Sequence, residues 1–255
     1  MSTRDLADFL LRRLRLETEE CYRAVRRWRP QADAGDASAA YQVGRALLTS
    51  RLPGRALPYL RQAAEGDLLE AMEELAAVLS RRNRPDESQT WYEWAGDLAR
   101  AQGRPAVQVG DYYCRAHQSE QAEQALRPAA EQDDARAAAR LGDVLEYPWN
   151  GTRRPVEAAH WYSVAWALGD KSVGPALERL RFEARLAREE EQRFRPEAER
   201  GDPEAARRLA SALRTAGRIE EADQWERQAD QLWMDQYYDS PLHSAPLSES
   251  RSPTP

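Results

Sequence analysis

The chain has 255 residues, 42% of them hydrophobic and 31% charged, with a formal net charge of −6 at neutral pH. That acidic balance argues against a dedicated nucleic-acid binder, whose domain is expected to be basic, and the longest apolar runs fall far short of the roughly 18 to 20 residues that a membrane-spanning helix needs. Cys21 and Cys114 are solitary, and the stretch Met1 to Asp5 has no basic segment followed by an apolar block, so a cytoplasmic protein in a reducing compartment is expected.

From Asp5 to Trp28 the chain reads as helix, with Leu6, Phe9, Leu10, Leu14, Tyr22, Val25 and Trp28 on an apolar face. Arg12, Arg13, Arg15, Arg23, Arg26 and Arg27 line its other face, interrupted by Glu17, Glu19 and Glu20. Such a helix suits a membrane surface or a nucleic-acid backbone. The acidic interruptions weaken the membrane reading, and the expected role of residues 1–34 is a cap, which open repeat arrays need at their ends.

From residue 35 a pattern recurs. A small residue is followed by a second 12 positions on and a third 19 positions on, in Gly44/Ala56/Ala63, Ala76/Ser88/Ala95, Gly110/Ala122/Ala129 and Ala210/Ala222/Ala229, and in Gly142/Ala158/Ala165 with four extra residues inserted. Recurrence at about 31 to 36 residues is what a stack of helical hairpins requires, because antiparallel helices must touch where side chains are smallest. Apolar residues keep helical intervals around these positions, as in Leu47, Leu48, Leu57 and Leu60, while Pro53-Gly54, Asn83 to Pro85, Pro148 to Pro155 and Gly217 break the pattern where two helices should part.

The repeats also end alike, at Gly35-Asp36, Gly66-Asp67, Asp133-Asp134 and Gly201-Asp202. Gly suits the left-handed residue after a helix, and the Asp behind it accepts the first amide protons of the next. Residues 171 to 193 lack both the triplet and a breaker, which predicts either a degenerate repeat or one long helix. Trp225, Leu232, Trp233, Met234, Tyr237 and Tyr238 are expected to cover the last hairpin, and residues 236–255, rich in Ser and Pro, to be a disordered tail.

The pattern predicts an all-α fold, an α-solenoid of about six to seven antiparallel hairpins over residues 35–235. Helices of about 12 to 15 residues are marginal alone in water, so stacking neighbours must stabilise them. Lys171 is the sole lysine, and the abundance of Arg, Ala and Glu resembles a GC-rich bacterial coding bias.

Chemistry-bearing residues are few. His117, His160 and His243 are the only histidines, and none pair at a metal-binding interval. Cys114 and His117 lie one helical turn apart, the spacing of a conceivable nucleophile pair, but no residue supplies an oxyanion hole or an orienting partner. There is no Gly-rich phosphate loop. Trp91, Trp161 and Trp225 recur at equivalent second-helix sites and are expected in the core. No metal, cofactor or enzymatic activity is expected.

Small residues at three fixed repeat positions with a bulky residue between the last two resemble tetratricopeptide repeats. Leu141 to Tyr147, Asn150-Gly151 and Val156 to Tyr162, with their longer loop, are similar to the related Sel1-like repeat. The resemblance covers about residues 30 to 235 and implies a right-handed superhelix whose first helices face a concave groove. It implies that this groove carries Tyr41, Arg45, Glu73, Gln108, Asp111, Arg136, Arg140, Asp143, Arg207 and Arg214. The chaperone carboxylate clamp known in that superfamily needs Asn among the residues after the small position; here those residues are Arg45, Ala77, Asp111, Asp143 and Ser211. The expected function is therefore a protein-interaction scaffold or adaptor for a peptide or protein partner. The alternatives are a nucleic-acid-associated regulator using the Arg-rich first helix and a thiol-reactive protein centred on Cys114.

Overall fold

A computed structural model describes residues 19–238, which contain helices and turns and no strand. Twelve α-helices follow one another among them: α1 (19–33), α2 (Ala37–Thr49), α3 (Pro53–Glu65), α4 (Leu69–Arg81), α5 (Pro85–Ala101), α6 (Ala106–Arg115), α7 (Ser119–Ala130), α8 (Ala135–Glu146), α9 (Pro155–Ala167), α10 (Gly174–Glu199), α11 (Pro203–Thr215) and α12 (Ile219–Tyr238). A single 3-10 turn, Lys171–Val173, precedes α10. The chain divides into two compact units at Thr152/Arg153, inside the connection marked by Pro148 to Pro155. The fold class is the expected all-α solenoid of helical hairpins.

The turns explain why the helices stop where they do. At the end of α2, Arg51 N–H donates to Leu48 O and Leu52 N–H to Leu47 O, both at 2.9 Å, around a left-handed residue. This double bond pattern satisfies two of the carbonyls that a helix C-terminus leaves open. The same pair of bonds closes α1, α3 to α7 and α9 to α11. The left-handed residue is Gly at 35, 103, 169, 201 and 217, but Arg51, Asp67, Asn83, His117 and Asp133 take it with φ between 57° and 63°, at a cost of roughly 1–2 kcal/mol each for a residue with a Cβ.

Asp36, Asp134 and Asp202 then cap the next helix, each accepting a backbone N–H from the residue three positions on at 3.0–3.1 Å. One of the matched endings departs from the others. Gly66 has φ −91°, Asp67 carries the left-handed turn, and Leu68 stands at the cap without a side-chain bond. Gly is required at 66 for closeness instead, since a Cβ there would lie 2.5 Å from Ala37 Cβ.

In the first unit, α2/α3, α4/α5 and α6/α7 form three hairpins, with α8 packed on α7. Their small residues sit at the helix contacts. A Cβ on Gly44 would lie 2.7 Å from Leu60 Cδ2, and one on Gly110 would lie 2.6 Å from Leu126 Cγ. Ala56, Ala63, Ala76, Ala95 and Ala122 are fully buried. Ser88 stands in for Ala at its position and satisfies its hydroxyl by donating to Ala76 O at 2.8 Å. The third position of the α6/α7 repeat is corrected: Ala129 is only half-buried and Ala130 takes the buried place beside Leu126. Leu60, Leu75, Leu126, Leu141 and Leu145 are fully enclosed, each contributing about 1.5–3 kcal/mol before chain entropy is subtracted.

In the second unit, residues 171 to 193 form no hairpin. They enter α10, a 26-residue helix that packs on α9 near its start and on α11 near its end. Phe194 and Ala198 join Ala206, Leu209, Leu213, Ala222 and Ala229 in one apolar cluster, with Trp225 packed against it. Trp233 and Met234, expected to cover the last hairpin, are exposed, while Leu232 is half-buried. Tyr237 and Tyr238 end α12, while the expected tail beyond 238 lies outside the described residues.

A ring of charge ties α10 to the start of α12. Arg195 donates to Glu191 at 2.8 Å and Glu221 at 2.9 Å, and Arg218 donates to Glu191 at 2.7 Å and also pairs with Glu221. Hydrogen bonds from Arg195, then Arg218, hold both carboxyls below their ordinary 4.5.

Two measurements check this architecture. Ala at position 110 gains about 1 kcal/mol of helix propensity over Gly, yet overpacking against Leu126 costs about 1–3 kcal/mol. Gly110→Ala is therefore expected to lower the denaturant midpoint in the parent chain and to raise it in a Leu126→Ala background. For the ring, lowered folded-state pKa values mean that its stabilisation is complete above pH 4.5 and disappears as pH falls through the folded values. A Glu191→Gln/Glu221→Gln variant should lose less stability than the parent between pH 5 and pH 3, read by thermal unfolding.

Candidate functional site: the inner helix face

In the first unit the even-numbered helices lie side by side, because each hairpin returns the chain to the same layer. Their outward side chains meet in a ladder. Tyr41 on α2 donates its hydroxyl to Glu74 Oε1 on α4 at 3.1 Å, with Arg45 at 3.7 Å from the same oxygen. Between α4 and α6, Glu73 accepts from Tyr112 at 3.2 Å and from Arg115 at 3.0 Å, and Gln108 donates to the Tyr112 hydroxyl at 3.2 Å. Between α6 and α8, Arg140 Nε donates to Asp111 Oδ1 at 2.7 Å, and Arg140 Nη1 reaches Asp143 at 3.2 Å. Burial and the neighbouring Glu74 push the Tyr41 hydroxyl up to about 12, so it stays a donor at ordinary pH.

Seven of the candidate residues therefore take part in this ladder: Tyr41, Arg45, Glu73, Gln108, Asp111, Arg140 and Asp143. Arg136, also on α8, is exposed and makes no ion pair among the described residues. Arg207 and Arg214 belong to the second unit and turn toward α12, pairing with Asp230 at 3.1 Å and with Asp223 and Glu226 at 2.8 and 2.6 Å. Sequence reasoning missed Glu74, Tyr112 and Arg115. The available signal was periodicity: Glu74 neighbours Glu73, and Tyr112 and Arg115 each lie four residues beyond a chosen site, Gln108 and Asp111.

Cys114 and His117 do not form a reactive pair. His117 Nδ1 lies 2.5 Å from Gln89 Nε2, and its ring stacks on Trp149 with centroids 3.5 Å apart and planes 14° from parallel. Burial pushes the Cys114 thiol up to about 11, the opposite of what a nucleophile needs. Trp91 and Trp161 are buried as expected, and His160 is a surface residue. No group of three or more His, Cys, Asp or Glu is placed to hold a metal ion, and no helix is long and apolar enough to cross a membrane, among the described residues.

Of the Arg-rich first helix, residues 5–18 lie outside the described residues. In α1, Arg23 pairs with Glu19 at 3.5 Å, Arg29 with Asp33 at 3.4 Å, and Arg27 stacks over Trp28. Tyr22, expected on the apolar face, is 67% exposed. The C-terminal end of α1 is held by Gln62, which donates to Ala32 O at 2.6 Å.

The described residues thus form helical hairpins meeting at small residues, and in the first unit alternate helices align into one polar face. No known family model matches the chain, and no curated protein does. Among solved structures it is similar to a Sel1 repeat protein from Oxalobacter formigenes, 17% identical over 63% of this chain and 68% of that one, with a TM-score of 0.40. It is also similar to residues 41 to the end of MamA from Desulfovibrio magneticus RS-1, with 16% identity, 80% and 97% coverage and a TM-score of 0.39. BtubC from P. vanneervenii gives 16% identity, 94% and 99% coverage and 0.42.

With the thiol held protonated, iodoacetamide at pH 7.5 should label Cys114 slowly in the folded chain and rapidly once guanidinium unfolds it, as followed by peptide mass spectrometry. Fast labelling of the folded chain would restore the reactive-cysteine reading.

Proposed function

We propose that the chain is a non-enzymatic interaction scaffold whose inner face, built by α2, α4, α6 and α8, receives a protein or peptide segment. The observation that carries this reading is the ladder itself: charges of both signs, half-exposed and held in fixed positions by bonds between successive helices. Exposed ion pairs contribute only about 0–1 kcal/mol each to a fold, so the hairpin packing described above, and not the ladder, supplies most of the stability. A partner segment with complementary charges can exchange with these pairs at small cost, gaining selectivity and association rate more than raw affinity. Arg136, without an ion pair at one end of the ladder, is the position where an acidic residue of the partner would meet a free cation.

The test compares faces. Arg45→Glu, Arg115→Glu and Arg140→Glu are expected to lose at least about tenfold in partner capture from the native cell, identified by mass spectrometry. Their melting temperatures should fall by no more than about 2–4 °C, the shift that 1 kcal/mol produces in a chain of this size. Arg55→Glu, on the exposed side of α3, should capture the partner as the parent does. Equal capture by all variants, or loss with Arg55→Glu alone, places the partner elsewhere.

A further inference from the structure

Outside the inner face, a cleft of about 540 Å³ opens in the first unit between the end of α3 and the second half of α5. Met72 and Trp91 are buried and Leu98 half-buried in its lining, while Trp94 is 50% exposed. Trp94 meets the edge of Trp91 with centroids 4.8 Å apart and planes at 80°, which leaves much of the Trp94 ring open.

Apart from Ala64 and Ala101, the remaining lining is anionic. Glu65, Asp67 and Asp97 are all exposed there. Asp97 accepts the Tyr113 hydroxyl at 2.7 Å, a neutral donor that leaves its charge in place. Neither Glu65 nor Asp67 has an ion-pair partner among the described residues. The C-terminal end of α3, with its partial negative charge, points at the same place. Elsewhere two tryptophans carry a cation of the chain itself: Lys171 Nζ stands 4.2 Å from the Trp166 ring and the Arg27 guanidinium 4.6 Å from Trp28. Trp94 has no cation over it among the described residues.

We propose that this cleft receives an arginine side chain from a partner peptide, its guanidinium stacked on Trp94 between the carboxylates and its aliphatic stem lying on Met72 and Leu98. A purely apolar occupant would desolvate three carboxylates with no compensating charge, which is costly. A cation over an indole face is attracted by the ring quadrupole, more strongly as the site dries. Arginine fits better than lysine because its planar fork both stacks on the ring and pairs bidentately with a carboxylate. The site is built from α3, the turn that follows it, Met72 of α4 and α5, shares no residue with the inner-face ladder and is independent of that reading.

The probe is a series of pentapeptides, acetyl-Gly-Leu-X-Leu-Gly-amide, with X as arginine, lysine, citrulline or norleucine, titrated calorimetrically into the full chain. The arginine peptide is expected to bind at least about tenfold more tightly than the citrulline peptide, which keeps the shape and lacks the charge. Raising salt from about 50 to 500 mM should weaken it severalfold. Trp94→Ala should cost about tenfold or more, and Glu65→Gln with Asp67→Asn, which retains a residue tolerant of the left-handed turn, severalfold. Equal binding of arginine and citrulline peptides overturns the proposal, as does indifference to the carboxamide substitutions. So does a dimer in sedimentation equilibrium that Trp94→Ala dissolves while no peptide binds, since the occupant would then be a second copy of this chain.

Discussion

At its helix crossings this protein seats leucine side chains directly on the backbone of the facing helix, and the other features follow from that closeness. At Gly44 and Gly110 there is no room even for a methyl group, because Leu60 and Leu126 fill the space where a Cβ would project. The gain is dispersion contact and apolar burial along short helices that would not persist alone. The requirement is geometric: each helix must leave its neighbour at a fixed angle and return one layer further on. The recurring double hydrogen bond around a left-handed residue supplies that angle, and five non-glycine residues among those described adopt that conformation to keep it.

Regular return of the chain aligns α2, α4, α6 and α8, and the functional reading depends on that alignment. Side chains separated by about thirty residues in sequence become neighbours, as Tyr41 and Glu74 or Asp111 and Arg140 do. Their charges neutralise one another across helix boundaries, so a face that looks in sequence like a row of isolated ions is a linked set. The α3/α5 cleft differs in kind: Glu65, Asp67 and Asp97 line it together with the half-exposed Trp94 and form no ion pair among the described residues, whereas the carboxylates of the ladder are bonded to cations or hydroxyls of neighbouring helices.

The irregular second unit shows what happens when a repeat loses its crossing residues. Without a small triplet or a breaker between Lys171 and Arg193, nothing directs the chain to turn back, and α10 continues for 26 residues. Its middle carries exposed Phe182 and Leu186, and its far end is secured where Phe194 and Ala198 pack with α11 and by the Arg195/Arg218/Glu191/Glu221 ring.

Spacing alone determined the helical hairpins of the first unit, most of the crossing residues, the capping role of Asp36, Asp134 and Asp202 though not of Asp67, and the burial of Trp91 and Trp161, because each follows from the 3.6-residue period and from local backbone chemistry within one turn. Seven of the ten candidate residues join the ladder, but of these Tyr41, Arg45, Glu73 and Gln108 bond across helices or along them through Glu74 and Tyr112, which the spacing did not single out. Tertiary structure decided the rest: that Arg207 and Arg214 turn to α12, that His117 abandons Cys114 for Trp149 and Gln89, that Ala130 and not Ala129 is enclosed, and that Trp94 remains open beside Glu65 and Asp67. Each of these depends on which side chain from a distant helix arrives first at a shared space. No local periodicity encodes that competition, since it is settled only when the layers are stacked.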